Sequence, residues 1–130
     1  MEKRQVVIVD DDIVSASTLA DFLSSRHYDC SVFSSAKEAL GYNGQQPDVI
    51  IIDFELPDMD GTVLLREFME RFRGTLGITI SANPAWEIRQ KALEAGATFF
   101  FPKPIDLLLF AEKIKQQGVT FNEGDKKNDS

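Results

Sequence analysis

Five short apolar runs punctuate the chain, at 5–9, 29–33, 49–52, 76–80 and 98–101. Most of their residues are β-branched or aromatic, with few polar interruptions. Strands buried on both faces of a parallel sheet read this way. Between the runs, apolar residues recur with helical spacing. Ala16, Leu19, Ala20 and Leu23 fall at i, i+3, i+4 and i+7. Leu64, Leu65, Phe68 and Phe72 make a second stripe, and Ile88, Ala92 and Ala95 a third. Residues 36–42 carry a shorter, weaker pattern. A last helix is predicted over 105–117, with Pro104 in its first turn. Strand and helix in strict alternation predict an α/β fold: a parallel sheet with helices on both faces and right-handed crossovers. The stretch EGDKKNDS that closes the sequence has no apolar content. The pattern therefore predicts one domain over 1–117 and a flexible tail over 118–130.

Composition narrows the function classes. A chain of 130 residues suits one domain with one core. The net charge of −7 disfavours direct nucleic-acid binding and docking on an anionic membrane. The single cysteine, Cys30, forms no internal disulfide and fits a reducing compartment; its place in the second strand reads as a packed small hydrophobe. The longest apolar run, 107–111, is far too short to span a bilayer. The opening MEKRQ lacks the apolar run of a signal peptide. A cytoplasmic, acidic protein is expected.

Candidate chemistry gathers at the strand ends. In a doubly wound sheet, ligands sit outside the carboxyl ends of the strands. The first strand ends in VIVDDD, placing Asp10, Asp11 and Asp12 side by side. The third ends in Asp53, the fourth in Ser81, and the fifth runs into Pro102, Lys103 and Pro104. An all-oxygen site at Asp10, Asp11 and Asp53 suits Mg²⁺ or Mn²⁺, whose charge offsets the repulsion. Asp12 reads as the cap of the following helix. The competing reading makes the whole acid cluster a helix cap and dipole complement; Asp53 and Lys103 at matching strand ends favour the metal. A carboxylate beside a divalent cation can attack phosphorus. The Lys103 ammonium and the Ser81 hydroxyl could then hold phosphoryl oxygens.

VIVDDD, VIIIDFELPDMDG, ITISA and EAGATFFFPKP together, in this order and spacing, resemble the receiver domain of bacterial two-component response regulators. The resemblance covers 4 to about 117, and DFELPDMDG is its most specific piece. It implies a flavodoxin-like (βα)5 sandwich with a parallel sheet of order 2-1-3-4-5. It implies Asp53 as phosphoacceptor and Asp10, Asp11, Asp53 and the Glu55 backbone carbonyl as Mg²⁺ ligands. Lys103 would contact the phosphoryl group, Ser81 would be the switch hydroxyl and Phe100 the switch aromatic. Phe100 stands where relatives often carry tyrosine. Glu55 and Asn83 would line the water's route to the phosphoryl group and tune its lifetime. The Lys103–Pro104 bond would be cis.

The expected function is a phosphorylation-dependent switch. Mg²⁺-dependent transfer from a phosphohistidine donor, a histidine kinase or a histidine phosphotransfer protein, would modify Asp53. Ser81 would move toward the phosphoryl group and Phe100 would turn into the space vacated. The readout surface would be the fourth helix, fifth strand and fifth helix, with Trp86, Ile105 and Leu109 as apolar contacts for a downstream partner, a fused output domain or a homodimer formed on activation. His27 reads as a surface charge near a helix end, and Asp58 and Asp60 as turn and capping residues. Two other classes compete. A pseudo-receiver would bind partners without taking phosphate. An aspartate-nucleophile phosphatase would need a second aspartate two places after the nucleophile, where Glu55 stands. No turnover of an external substrate is expected.

Overall fold

The computed structural model describes residues 3–117. The predicted tail over 118–130 lies outside the described residues. Elements alternate along the chain as β1 (Arg4–Val9), α1 (Ile13–Ser24), β2 (Tyr28–Phe33), α2 (Ala36–Leu40), β3 (Val49–Asp53), α3 (Gly61–Arg71), β4 (Leu76–Ser81), α4 (Trp86–Glu94), β5 (Phe99–Pro102) and α5 (Leu107–Gln116). The five strands are all parallel, in the order β2-β1-β3-β4-β5. This is the doubly wound sandwich expected from the sequence.

Alternation along each strand splits the core into two. On one face Val6, Ile8, Ile51, Ile78, Ile80 and Phe101 pack with Leu19 and Leu23 of α1 and Phe110 and Ile114 of α5. On the other Val7, Val9, Ile50, Ile52 and Phe100 pack with α2, with Leu64, Leu65 and Phe68 of α3, and with Ala92 of α4 and Ala95 just after it. Unbroken apolar runs in β1 and β3 are the consequence, since both faces need apolar residues.

Two sequence readings need correction. β2 is not buried on both faces: Asp29 is exposed and Val32 is 46% exposed. It is an edge strand, so helices cover it incompletely. The last helix starts at Leu107, two residues later than predicted. Asp106 is its N-cap, accepting the Leu109 N–H at 3.1 Å. That side chain ends the helix where it satisfies the first turn, leaving Pro104 outside it. Ile105 therefore precedes α5 and packs half-buried against the α1/α5 core. Cys30 is half-buried against the same core, and burial pushes its thiol pKa up. His27 lies exposed in the α1–β2 connection, at φ 70°.

Candidate functional site

The parallel register brings the strand ends level. Asp10 follows β1 directly, and its N–H donates to the Phe33 carbonyl at 3.0 Å. Asp53 closes β3 opposite Ile80. Carboxylate oxygens of Asp10, Asp11 and Asp53 lie within 4.8 Å of one another. Asp12, beside them, turns away to cap α1, accepting the Ser15 N–H at 3.2 Å. The four adjacent acids thus divide into three that converge and one that caps.

Lys103 completes the cluster. Its Nζ is 2.8 Å from Asp53 Oδ2 and 2.9 Å from Asp10 Oδ2. Pro102 stands opposite Ser81 in the β4–β5 register and has no N–H to give. The Lys103 N–H donates to the Ser81 carbonyl at 2.8 Å instead. The paired prolines therefore do not displace the lysine. The Lys103–Pro104 peptide is cis, as the resemblance implied.

Burial and charge oppose each other here. Burial raises the Asp10 pKa, and Asp53 raises it further, against the Asp12 N–H and the Lys103 ammonium. Burial alone would lower the Lys103 pKa, but Asp53 and Asp10 outweigh it and the net shift is upward. Asp10 Oδ1 accepts the Asp12 N–H at 3.0 Å. Asp10 Oδ2 is buried without a hydrogen bond; its contact with Lys103 is an ion pair outside hydrogen-bond geometry. Three carboxylates against one ammonium leave an electron-rich, all-oxygen cavity mouth. A hard divalent cation fits that donor set.

The loop after Asp53 is folded tightly back on β3. The Glu55 N–H donates to Asp53 Oδ1 at 2.9 Å, and Glu55 bridges to Asp60. Gly61 N–H donates to the Phe54 carbonyl at 3.0 Å. A Cβ on Gly61 would stand 2.3 Å from the Asp53 carbonyl oxygen, so only glycine admits this approach. Asp60 caps α3 through the Thr62 N–H at 2.8 Å. Asp58 reaches across to α2, accepting the Ala36 N–H at 3.0 Å and the Lys37 N–H at 2.9 Å. Turn and capping roles were expected of both, but not the partner helix of Asp58.

Ser81 is fully buried at the end of β4. Its hydroxyl faces Glu55 Oε2 at 2.6 Å. Asn83 donates its N–H to Ser81 Oγ at 2.9 Å, and Asn83 Oδ1 accepts the Ala85 N–H at 3.0 Å. The resemblance implies that Phe100 turns into the space that Ser81 vacates on activation. Its ring is already inside, 6% exposed in the α2/α3/α4 core, with the Arg89 guanidinium 5.1 Å from its centroid. Lacking a hydroxyl, the ring has no polar tip that water would hold at the surface. Of the three apolar residues expected at a partner surface, Trp86 is 67% and Leu109 41% exposed, whereas Ile105 faces the core. Leu108, 71% exposed on α5, is a further apolar surface residue that the sequence reading does not name.

Residues 6–115 match the family profile described as response regulator receiver domain. The chain belongs to the response regulator receiver family. The receiver is 32% identical over 108 residues to the DNA-binding transcriptional regulator NtrC of Proteus hauseri, covering 82% of this chain and 23% of NtrC. It is 28% identical over 123 residues to the sensor histidine kinase RcsC of Escherichia coli, covering 88% of this chain and 13% of RcsC. It thus spans less than a quarter of the length of either relative. A CheY-like receiver domain protein from Methanospirillum hungatei JF-1 shares the fold at TM-score 0.83 and 27% identity, over 89% of this chain and 94% of that one.

Proposed function

We propose that the receiver is a phosphorylation-dependent switch that accepts a phosphoryl group on Asp53. The observation that carries this reading is the Lys103 ammonium held between Asp53 and Asp10 at 2.8 and 2.9 Å, with Asp11 in the same cluster. A buried carboxylate flanked by a cation and by further oxygen donors is a poised nucleophile. The donor is a phosphohistidine, on a histidine kinase or a histidine phosphotransfer protein. The bond from phosphorus to the imidazole nitrogen breaks, its electron pair stays on the imidazole, and an Asp53 oxygen bonds to phosphorus. Lys103 neutralises charge on the phosphoryl oxygens, and Ser81 donates a hydrogen bond to one of them. Asp10, Asp11, Asp53 and the Glu55 carbonyl would hold Mg²⁺ or Mn²⁺, which supplies the positive charge that the cluster lacks. Glu55 and Asn83 flank the approach of hydrolytic water and tune the lifetime.

Support for two working surfaces comes from exposed apolar side chains. Val14, 75% exposed, lines a cleft with Lys103, Pro104 and Ile105, and Ile13, 73% exposed, is its neighbour on α1. A donor presenting its phosphohistidine to the strand ends contacts this rim. Trp86, Leu108 and Leu109 on α4 and α5 form the output side, read by a partner, a fused domain or a second copy. The match to only part of a transcriptional regulator and of a sensor kinase is in keeping with a receiver that works beside other domains. Donors of this kind place the protein in the cytoplasm; no described helix is long and apolar enough to cross a membrane. The receiver turns over no external phosphate ester. Glu55 occupies the place where a phosphatase would need its second aspartate, and its carboxylate is tied to Ser81.

The test is intact mass after treatment with acetyl phosphate, with and without Mg²⁺, beside Asp53→Ala. One Mg²⁺-dependent phosphoryl adduct, absent from the variant, is expected. If no adduct forms and beryllofluoride also leaves the protein unchanged, the pseudo-receiver reading replaces this one.

A further inference from the structure

The Ser81 hydroxyl has one proton to give, and here it is given away from Asp53. Ser81 Oγ donates to Glu55 Oε2 at 2.6 Å; the Asn83 carbonyl, at 3.0 Å, is the longer alternative. Ser81 is 0% exposed, so water cannot easily replace the partner. A hydroxyl donating to a carboxylate at this distance belongs to the short, charge-assisted class. Glu55 can hold it because its own backbone is fixed. Its N–H is bound to Asp53 Oδ1 at 2.9 Å, and the residue bridges to Asp60. One residue thus touches the acceptor aspartate through its main chain and the switch hydroxyl through its side chain. The Phe100 ring is already inside, under Arg89. The Ser81 proton is the part of the site left to change hands.

We propose that Glu55 is a positioning residue that latches Ser81 in the resting receiver and thereby sets the threshold for activation. This rests on Asp53 being the phosphoacceptor. A phosphoryl group on Asp53 brings close to two negative charges and strong acceptor oxygens. It repels the Glu55 carboxylate and competes with it for the same proton. Release by Glu55 and capture by the phosphoryl oxygen are one exchange of hydrogen-bond acceptors, with no covalent bond altered. The activation equilibrium carries the cost of opening the latch, and removing the carboxylate shifts that equilibrium toward the captured state.

Beryllofluoride with Mg²⁺, as a stand-in for the phosphoryl group, tests this through its dissociation constant. The proteins are wild type, Glu55→Ala, Glu55→Gln, Ser81→Ala and the Glu55→Ala, Ser81→Ala double variant. Glu55 is exposed, so its variants keep the core intact. Glu55→Ala is expected to bind about tenfold more tightly than wild type, as suits one lost charge-assisted hydrogen bond. Glu55→Gln, which keeps a neutral acceptor, falls between. Most of the gain disappears when Ser81 is already alanine, which a purely structural or purely repulsive role for Glu55 would not produce. No gain in the presence of Ser81, or an equal gain in both backgrounds, overturns the latch while leaving the switch in place. A wild type that binds no beryllofluoride overturns the Asp53 reading itself, and the latch with it.

Discussion

Asp10 is buried with one oxygen lacking a hydrogen bond, beside a second buried carboxylate on Asp53 and an ammonium they share. Burial and Asp53 both resist its ionisation, which is why its pKa is raised. The folded protein therefore works against this charge while the shared Lys103 ammonium is the only cation that balances it. Asp10→Asn removes the charge but keeps an oxygen for the Asp12 N–H. In metal-free buffer the variant should melt at a higher temperature than wild type. Adding Mg²⁺ should raise the wild-type Tm and leave the variant nearly unmoved, so that the gap narrows or reverses. Thermal melts across a Mg²⁺ titration check this. A variant that melts lower than wild type without metal would show that Asp10 is held by Lys103 rather than strained beside Asp53. The acids and the lysine were legible in the sequence because parallel strands of matched length put their ends level, and residue numbers then map to places. The Glu55–Ser81 contact was not legible, since it depends on rotamers. The resting place of the Phe100 ring was not legible for a related reason: the family pattern implies a ring that turns, and the packing under Arg89 shows where it rests.

Helix starts show how side chains decide what periodicity leaves loose. Periodicity located α1, α3 and α4, but not the first residue of α5, which the Asp106 cap determines. It gave only a weak signal for α2, which has five residues. So short a helix needs help at its ends. Ser35 caps it from within, accepting the Glu38 N–H at 3.1 Å, and Asp58 supplies two further acceptors from the loop that follows Asp53. The backbone N–H groups of Lys37 and Ala36 hold the Asp58 pKa below its ordinary value. A carboxylate depressed by folding contributes stability above its unfolded pKa and loses it as pH falls through the folded one. Amide signals of Ala36 and Lys37 should therefore titrate together at a pH below the usual aspartate range. Asp58→Ala should abolish that titration and speed hydrogen exchange at those two amides, with little change in α3. Unaltered exchange would mean that Ser35 alone secures the helix. No pattern in the sequence announces a cap that arrives from another element, which is why Asp58 was assigned only to its own turn.

Across the molecule, a signal from Asp53 needs a part less firmly held than the rest. Helices α1, α2, α3 and α5 each begin with a side chain that accepts a backbone N–H: Asp12, Ser35, Asp60 and Asp106. Helix α4 is preceded by Ala85, which makes no such bond. Its start is instead tied to the site by a short chain of contacts, Ser81 Oγ to the Asn83 N–H and Asn83 Oδ1 to the Ala85 N–H. Any shift of Ser81 toward Asp53 therefore pulls on the one helix start, among the described residues, that lacks a side-chain cap of its own. Beryllofluoride should change hydrogen exchange in the first turn of α4 and the fluorescence of Trp86, which is the single tryptophan and stands at that turn. The first turns of α1 and α3 should change far less. Ala85→Ser supplies the missing cap and should stabilise the protein by about 1 kcal/mol. It should also shrink the exchange response of α4, because a capped turn resists the pull. A response that is undiminished in Ala85→Ser, or equal in α1 and α4, would mean that the signal leaves the site by another element.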